Sequence, residues 1–289
     1  MRSEQDLNIR LAAISVPKQR PSGSAAFSGR GTHRRLDRCG RSRQDAVMDR
    51  SRYLEALDID GKRLSQAAAV DLNADVPACP GWTVGDVVRH TAEVYEHKIA
   101  CVHLGGARPD PWPPRWPAGR DPVAWFAEAH GRVLEILATT DPAAPSWTWW
   151  PPDQTAGFWV RRMAQETAVH RADAQSAFGA ITPVEAELAV DGIDEVLVMM
   201  LAGDWSDDPQ AGSSGTVVVA ATNHAWRIVM SPDQITVGDV TGEADAGVTG
   251  EPSNLLLWLW GRAPDSAVAM DGDPAAARRL RGRLSLATQ

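Results

Sequence analysis

Cysteine, tyrosine and phenylalanine are scarce in this chain: three, two and four among 289 residues. The cysteines, Cys39, Cys79 and Cys101, form no CxxC pair, so no disulfide framework is expected. No apolar run approaches the roughly 18–20 residues that span a bilayer. No apolar signal-peptide core stands near the N-terminus. These absences read as a soluble protein of the reducing cytoplasm, with no membrane partner. Basic charge is short as well. With 29 Lys and Arg against 37 Asp and Glu, the net charge is −8, which argues against nonspecific nucleic-acid binding.

What is present is an apolar content of 44%, enough for more than one core, and twelve tryptophans. Several of these adjoin proline, as in Trp112-Pro113, Trp116-Pro117 and Trp150-Pro151, which points to rigid loops. At roughly 150 residues per domain, the length favours two domains. Charge is unevenly placed, with ten Lys and Arg against four Asp and Glu in residues 1–47. That Arg-, Ser- and Gly-rich stretch has neither helical nor alternating periodicity and reads as a disordered basic extension. A nucleic-acid arm or a transit peptide would be its functional readings. The expectation is instead that translation starts at Met48, where a helical pattern begins directly.

Tyr53, Leu54, Leu57, Leu64 and Ala68 outline a first helix ending near Leu72. Thr83 and Asp86 form the two ends of a capping box, with Trp82 and Val87 as a hydrophobic-staple pair, and this predicts a second helix to about Leu104. Gly105 to Arg120 is too proline-rich for regular structure. Asp121-Pro122 opens a third helix. A fourth covers about Phe158 to Phe178, with Gly179 as its C-terminal stop. Residues 48–179 therefore read as a four-helix bundle. Beyond them, Pro183 to Leu201 is helical, and Thr216–Ala221, Trp226–Met230 and Gln234–Val237 are β-type runs. Turns at Asn223-His224 and Ser231-Pro232-Asp233 separate these runs. Leu255 to Trp260 and Ala275 to Leu286 are helices. The fold class is mainly α, with the bundle followed by a smaller α+β domain over 180–289.

The fourth helix carries an anomaly. Trp159, Met163, Glu166, His170, Ala174 and Ala177 share one face, which is otherwise apolar. A carboxylate facing a bundle core is costly unless it is paired or metal-bound. His90 lies on the buried side of the second helix between Val87 and Val94. Two histidines and one carboxylate from facing helices can hold a divalent ion with a coordination position left open. Nitrogen and oxygen donors suit zinc, and the same set resembles the triad of Fe(II) oxygenases. The spacing also fits a solvated i,i+4 pair at Glu166 and His170 and a satisfied core histidine at position 90.

The run Cys79-Pro80-Gly81-Trp82-Thr83-Val84-Gly85-Asp86-Val87-Val88-Arg89-His90 resembles the N-terminal signature of the mycothiol-dependent maleylpyruvate isomerase family, whose bundle is DinB-like. Glu166-Thr167-Ala168-Val169-His170-Arg171-Ala172-Asp173 is similar to that family's second motif. Leu256-Leu257-Trp258-Leu259-Trp260-Gly261-Arg262 is similar to its C-terminal motif. The resemblance runs from about Met48 to the C-terminus. It implies that His90, Glu166 and His170 are zinc ligands; ligand type alone does not separate zinc from iron or nickel. It also implies mycothiol as cosubstrate. A metal deprotonates a thiol whose ordinary pKa is near ~8.5. In the family's reaction the thiolate adds to the double bond of maleylpyruvate, rotation follows, and loss of the thiol leaves fumarylpyruvate.

A dianionic substrate calls for cations, and Arg262 is the first candidate for substrate or thiol binding. Arg108, Arg115 and Arg120 are candidates for the mouth. Asp173 reads either as a partner of a ligand histidine or as a surface neighbour. Glu93 and His97 are substitute ligands should the mapping be wrong, and Cys79 lacks the base a nucleophile needs. His103, His130 and His224 receive no chemical role. Two other functions stay in view: a mycothiol S-transferase acting on electrophiles, and a non-catalytic metal-containing sensor or binding module.

Overall fold

The computed structural model describes residues 48–110 and 119–288. The basic extension, Arg115, Trp112 and Trp116 lie outside the described residues. Helix α1 is Arg50–Ala68, α2 is Val84–Leu104, α3 is Pro122–Thr139 and α4 is Ala156–Ser176. The capping box at the head of α2 is formed, with Thr83 N–H donating to Asp86 Oδ2 at 2.9 Å and Asp86 N–H donating to Thr83 Oγ1 at 3.3 Å. Asp121 caps α3 in front of Pro122 by accepting from Val123 N–H at 2.8 Å. Helix α1 stops four residues before the predicted end. Its next residues serve α2 instead, with the Leu72 and Ala74 carbonyls accepting from Gly85 and Val84 N–H at 2.8 and 2.9 Å. Helix α4 begins two residues earlier than its periodicity indicates, because Ala156 and Gly157 N–H donate to the Ala144 and Pro142 carbonyls.

In the bundle, α1 lies against α4 and α2 against α3. Leu57, Val87, Phe126, Trp159 and Met163 are fully buried between them. Gly61 of α1 permits a close approach: a side chain there would overlap the His130 ring of α3. His130 Nε2 donates to the Leu57 carbonyl at 3.1 Å, which gives this histidine a structural part.

Helix α5, Ala186–Glu195, runs into a π-helical turn over Val196–Leu201. The sheet that follows has six strands among the described residues. They are β1 Gly203–Asp204, β2 Gly215–Ala221, β3 His224–Met230, β4 Gln234–Gly238, β5 Ala246–Thr249 and β6 Ala269–Gly272. Their order is β1-β4-β3-β2-β5-β6, with β2 and β5 parallel and the other pairs antiparallel. The hairpin turn sits one residue earlier than predicted. Ala221 pairs with His224, so Thr222 (φ 50°) and Asn223 make the turn and His224 begins β3. Helix α6 is Pro252–Leu259 and α7 is Pro274–Ala287. Leu280 and Leu284 of α7 are buried, as are Val217, Val219 and Ile228 of the sheet, and α7 packs on β2 and β5. One continuous hydrophobic core runs through the bundle and the α+β part. Among the described residues, no helix is long and apolar enough to cross a membrane.

Candidate metal centre

Helix α2 brings His90, and α4 brings Glu166 and His170, to one point. One ligand atom from each lies within 4.8 Å of the other two, and among the described residues this is the group of such donors able to hold a metal ion. His90 Nε2 is 3.6 Å, and His170 Nε2 3.2 Å, from Glu166 Oε1. The two imidazole rings stand edge to face with centroids 5.0 Å apart. All three side chains are mostly buried, with exposures of 13%, 15% and 12% in chain order.

The outer atoms of Glu166 and His170 are held. Glu166 Oε2 accepts from Arg162, whose other Nη donates to the buried Glu195 of α5. His170 Nδ1 is 3.0 Å from Asp173 Oδ2, and Asp173 is fully buried. Burial lowers His170, but Glu166 and Asp173 outweigh it and push it up to about 9, so the protonated ring donates Nδ1–H to Asp173 and Nε2–H to Glu166 Oε1, and loss of the Nε2 proton would free that nitrogen for a metal. Such partners fix the tautomer and orientation of a metal-binding imidazole. Asp173 is held in turn by Arg262, whose Nε and one Nη donate to its two oxygens at 3.0 and 3.3 Å. Burial raises the Asp173 carboxyl, but Arg262 and His170 outweigh it and hold the group down at about 2. Burial also pushes Glu166 up, and Arg162 and His170 overcome it, leaving Glu166 well below the usual carboxylate range. Burial lowers His90.

A cavity of ≈ 170 Å³ adjoins the three donors. Trp147, Trp149 and Trp260 wall it, together with the cations Lys98, Arg162 and Arg262. The donor set passes a chemical test for a divalent ion: two imidazole nitrogens and one carboxylate oxygen converge, the opposite atoms of Glu166 and His170 are engaged by the protein, and a cavity lies beside them.

Residues 54–175 match the family described as the mycothiol maleylpyruvate isomerase N-terminal domain, and residues 187–279 match the one described as the MDMPI C-terminal domain. The chain belongs to the mycothiol maleylpyruvate isomerase family. Its fold is similar to the crystal structure of the mycothiol-dependent maleylpyruvate isomerase, with a TM-score of 0.56 and 13% identity, covering 78% of this chain and 93% of that one. A histidine-to-alanine mutant of the mycothiol-dependent maleylpyruvate isomerase compares alike, at TM-score 0.56 and 12% identity over the same shares. At these identities the likeness shows the fold alone. No curated protein matches this chain.

Within this family member, the residues singled out by periodicity and by resemblance, His90, Glu166 and His170, come together. Arg262 lines the cavity, with its fork directed at Asp173. Asp173 is the buried partner of His170 rather than a surface neighbour. His97 is buried, with Nδ1 3.0 Å from Lys98 Nζ and 3.7 Å from Cys101 Sγ, and it stands outside the three-donor group, as does Glu93. Cys79 Sγ accepts from Arg262 at 3.7 Å, and burial and Asp173 push the thiol up to about 12, an environment opposite to that of a nucleophile. Arg108 lines the cavity, whereas Arg120 is exposed and pairs with Glu128. Sequence reasoning missed Arg162 and Glu195. An Arg four residues before Glu166 on one helix face was a legible signal for the first, but nothing local marks Glu195, 33 positions away.

Proposed function

We propose that this chain is a metal- and mycothiol-dependent enzyme of the maleylpyruvate isomerase type, working in the cytoplasm on a small unsaturated acid. The observation that carries the reading is the convergence of His90, Glu166 and His170 beside a cavity, with Asp173 and Arg162 bracing two of them from behind. A divalent ion, zinc by the family resemblance, would hold a thiol as thiolate at neutral pH and keep it reactive. His90 Nε2, Glu166 Oε1 and His170 Nε2 would hold that ion. Once the ring loses a proton to the ion, Asp173 would keep the remaining one on Nδ1 and the lone pair on Nε2, and Arg162 occupies Glu166 Oε2 so that Oε1 faces the two imidazoles. Trp147, Trp149 and Trp260 give the cavity an apolar wall. Arg262 would contact substrate or thiol from the same wall while keeping Asp173 in place.

The test is elemental analysis of protein purified without added metal, wild type beside His170→Ala. About one zinc per chain in the wild type and its loss in the variant are the expected result. Metal-loaded wild type is then mixed with mycothiol and maleylpyruvate, and the products are followed by proton NMR. A trans product with thiol returned supports isomerisation, and a stable thioether assigns the site to S-transfer. No metal after zinc is added back sinks the proposed centre and leaves a binding module as the better account.

A further inference from the structure

Arg162 meets two carboxylates, and only one of them belongs to the three-donor group. One Nη donates to Glu166 Oε2 and the other to Glu195 Oε2. Its guanidinium carbon also lies 5.7 Å from the Trp260 ring centroid. Burial lowers the Arg162 guanidinium, and Glu195, ahead of Glu166, overcomes it and holds the group above its ordinary value. A fixed cation in contact with Glu166 opposes a second cation at the same carboxylate. Unbalanced, it would draw the charge of Glu166 away from an ion held at Oε1.

Glu195 is placed to supply the balance. It is the last residue of α5, 1% exposed, and the next residue opens the π-helical turn. Its neighbours on α5 face other groups. Asp191 and Asp194 accept from Arg161, Asp191 also from Gln165 Nε2 at 2.8 Å, and Asp194 from Trp226 Nε1 at 3.1 Å. Glu195 Oε2 accepts from Arg162, while Oε1 has no hydrogen-bond partner among the described residues. Burial pushes this carboxyl above its ordinary value, against the pull of Arg162 and Arg161. Packing alone does not explain an acid in such a setting, because an apolar side chain of similar volume would fill the space without the desolvation cost. The π-helical turn then carries Met200 to the wall of the cavity beside the three donors. One short stretch of the α+β half thus reaches both the cavity and the arginine behind Glu166.

We infer that Glu195 is a positioning residue of the metal centre: it balances the charge of Arg162, so that this arginine orients Glu166 through Oε2 without weakening the hold of Oε1 on the ion. The assignment rests on the metal-binding part of the reading above and deepens it. It makes the second half of the chain the source of a counter-charge that the bundle lacks.

The experiment measures zinc affinity of the full chain by competition with a chromogenic chelator, with thermal melting as the check on folding. Glu195→Gln keeps the shape and removes the charge, and Glu195→Asp keeps the charge. Arg162→Met combined with Glu195→Gln removes both charges together. Glu195→Gln is expected to weaken zinc by about tenfold or more, in the range of other partners behind metal ligands. Its cobalt(II)-loaded form should keep the wild-type visible spectrum, because the three ligands are unchanged. Glu195→Asp retains most of the affinity. The double variant should bind zinc more tightly than Glu195→Gln alone, since the unbalanced cation is gone. A purely structural Glu195 requires the opposite order, with the second loss of packing added to the first. Wild-type zinc affinity in folded Glu195→Gln overturns the inference, as does a double variant that binds no better than the single one, or a shifted cobalt spectrum in Glu195→Gln. Should Glu195→Gln not fold, a tenfold loss of zinc in folded Glu195→Asp overturns it, because the charge is still there. A wild type that binds no zinc refutes the metal centre and this inference with it. A wild type that binds zinc but catalyses nothing leaves the role of Glu195 standing and refutes only the enzymatic reading.

Discussion

Asp173 shows how much a single buried carboxylate organises here. One oxygen lies 3.0 Å from His170 Nδ1, the other accepts from Arg262 Nε at 3.0 Å, and the residue has no exposed surface. Exchange of its oxygen for an amide nitrogen in Asp173→Asn reverses the polarity of one of these bonds and removes the charge that Arg262 faces. Such outer partners of a ligand histidine are worth about 10–100-fold in metal affinity. Asp173→Asn should therefore weaken zinc by about that factor in a competition with a chromogenic chelator, whereas Cys79→Ser, which alters a neighbour of the Arg262 Nη that also donates to Asp173 but leaves the Asp173 carboxylate in place, should stay nearer wild type. Equal zinc affinity in both variants would reduce Asp173 to a packing residue. Periodicity made Glu166 and His170 legible because a carboxylate on an apolar helix face is an anomaly in one dimension. Lys98 was not legible in this way. It sits eight residues after His90, roughly 80° round the helix at ~100° per step, at the margin of the buried face, where a lysine reads as solvated.

At the scale of elements, α1 and α3 meet where Gly61 leaves room for the His130 ring. The ring also binds the Leu57 carbonyl one turn earlier and lies parallel to Phe126 on its own helix, with centroids 6.0 Å apart. Alanine is better by about 1 kcal/mol than glycine inside a helix, so propensity alone favours Gly61→Ala. The overlap with a buried ring opposes it, and overpacking of a dense core costs about 1–3 kcal/mol. The expected outcome is net destabilisation in urea unfolding, relieved when His130→Ala is added, since contacting sites are not additive. A stabilised Gly61→Ala would show that α3 shifts without cost. The bundle helices were legible because each carries its own signals: the Thr83–Asp86 box, Asp121 before Pro122, and Gly179 at φ 71° after α4. Strands β1, β5 and β6 were not, because two to four residues are too few for alternation to register. Their pairing comes from the sheet around them. The stop of α1 at Ala68 was equally hidden, being set by carbonyls at residues 72 and 74 that serve the first turn of α2.

At the scale of the whole molecule, the candidate centre sits where the two halves join, and its bracing comes from both. Arg262 reaches back 89 positions to Asp173, Arg162 reaches forward 33 to Glu195, and Arg161 binds Asp191 and Asp194 at 3.0 and 3.4 Å. None of these separations has a signature in the sequence, so the joint emerges only once the chain is folded. A ligand that binds the native state alone stabilises it by about 2.7 kcal/mol at a hundredfold excess over Kd. For a chain of this size that corresponds to roughly 5–10 °C in Tm. Because His170 is tied through Asp173 and Arg262 to the end of α6, zinc should protect α6 and the neighbouring α5 along with α2 and α4. Hydrogen exchange with and without zinc measures this directly, and Arg262→Gln provides the control. In the wild type, slowed exchange should extend from the bundle into residues 186–201 and 252–262. In Arg262→Gln the protection should contract toward α2 and α4, with the gain in Tm reduced. Protection confined to the bundle in the wild type would mean that the Asp173–Arg262 pair does not couple the halves, and that the second half covers the cavity without sharing in what it binds.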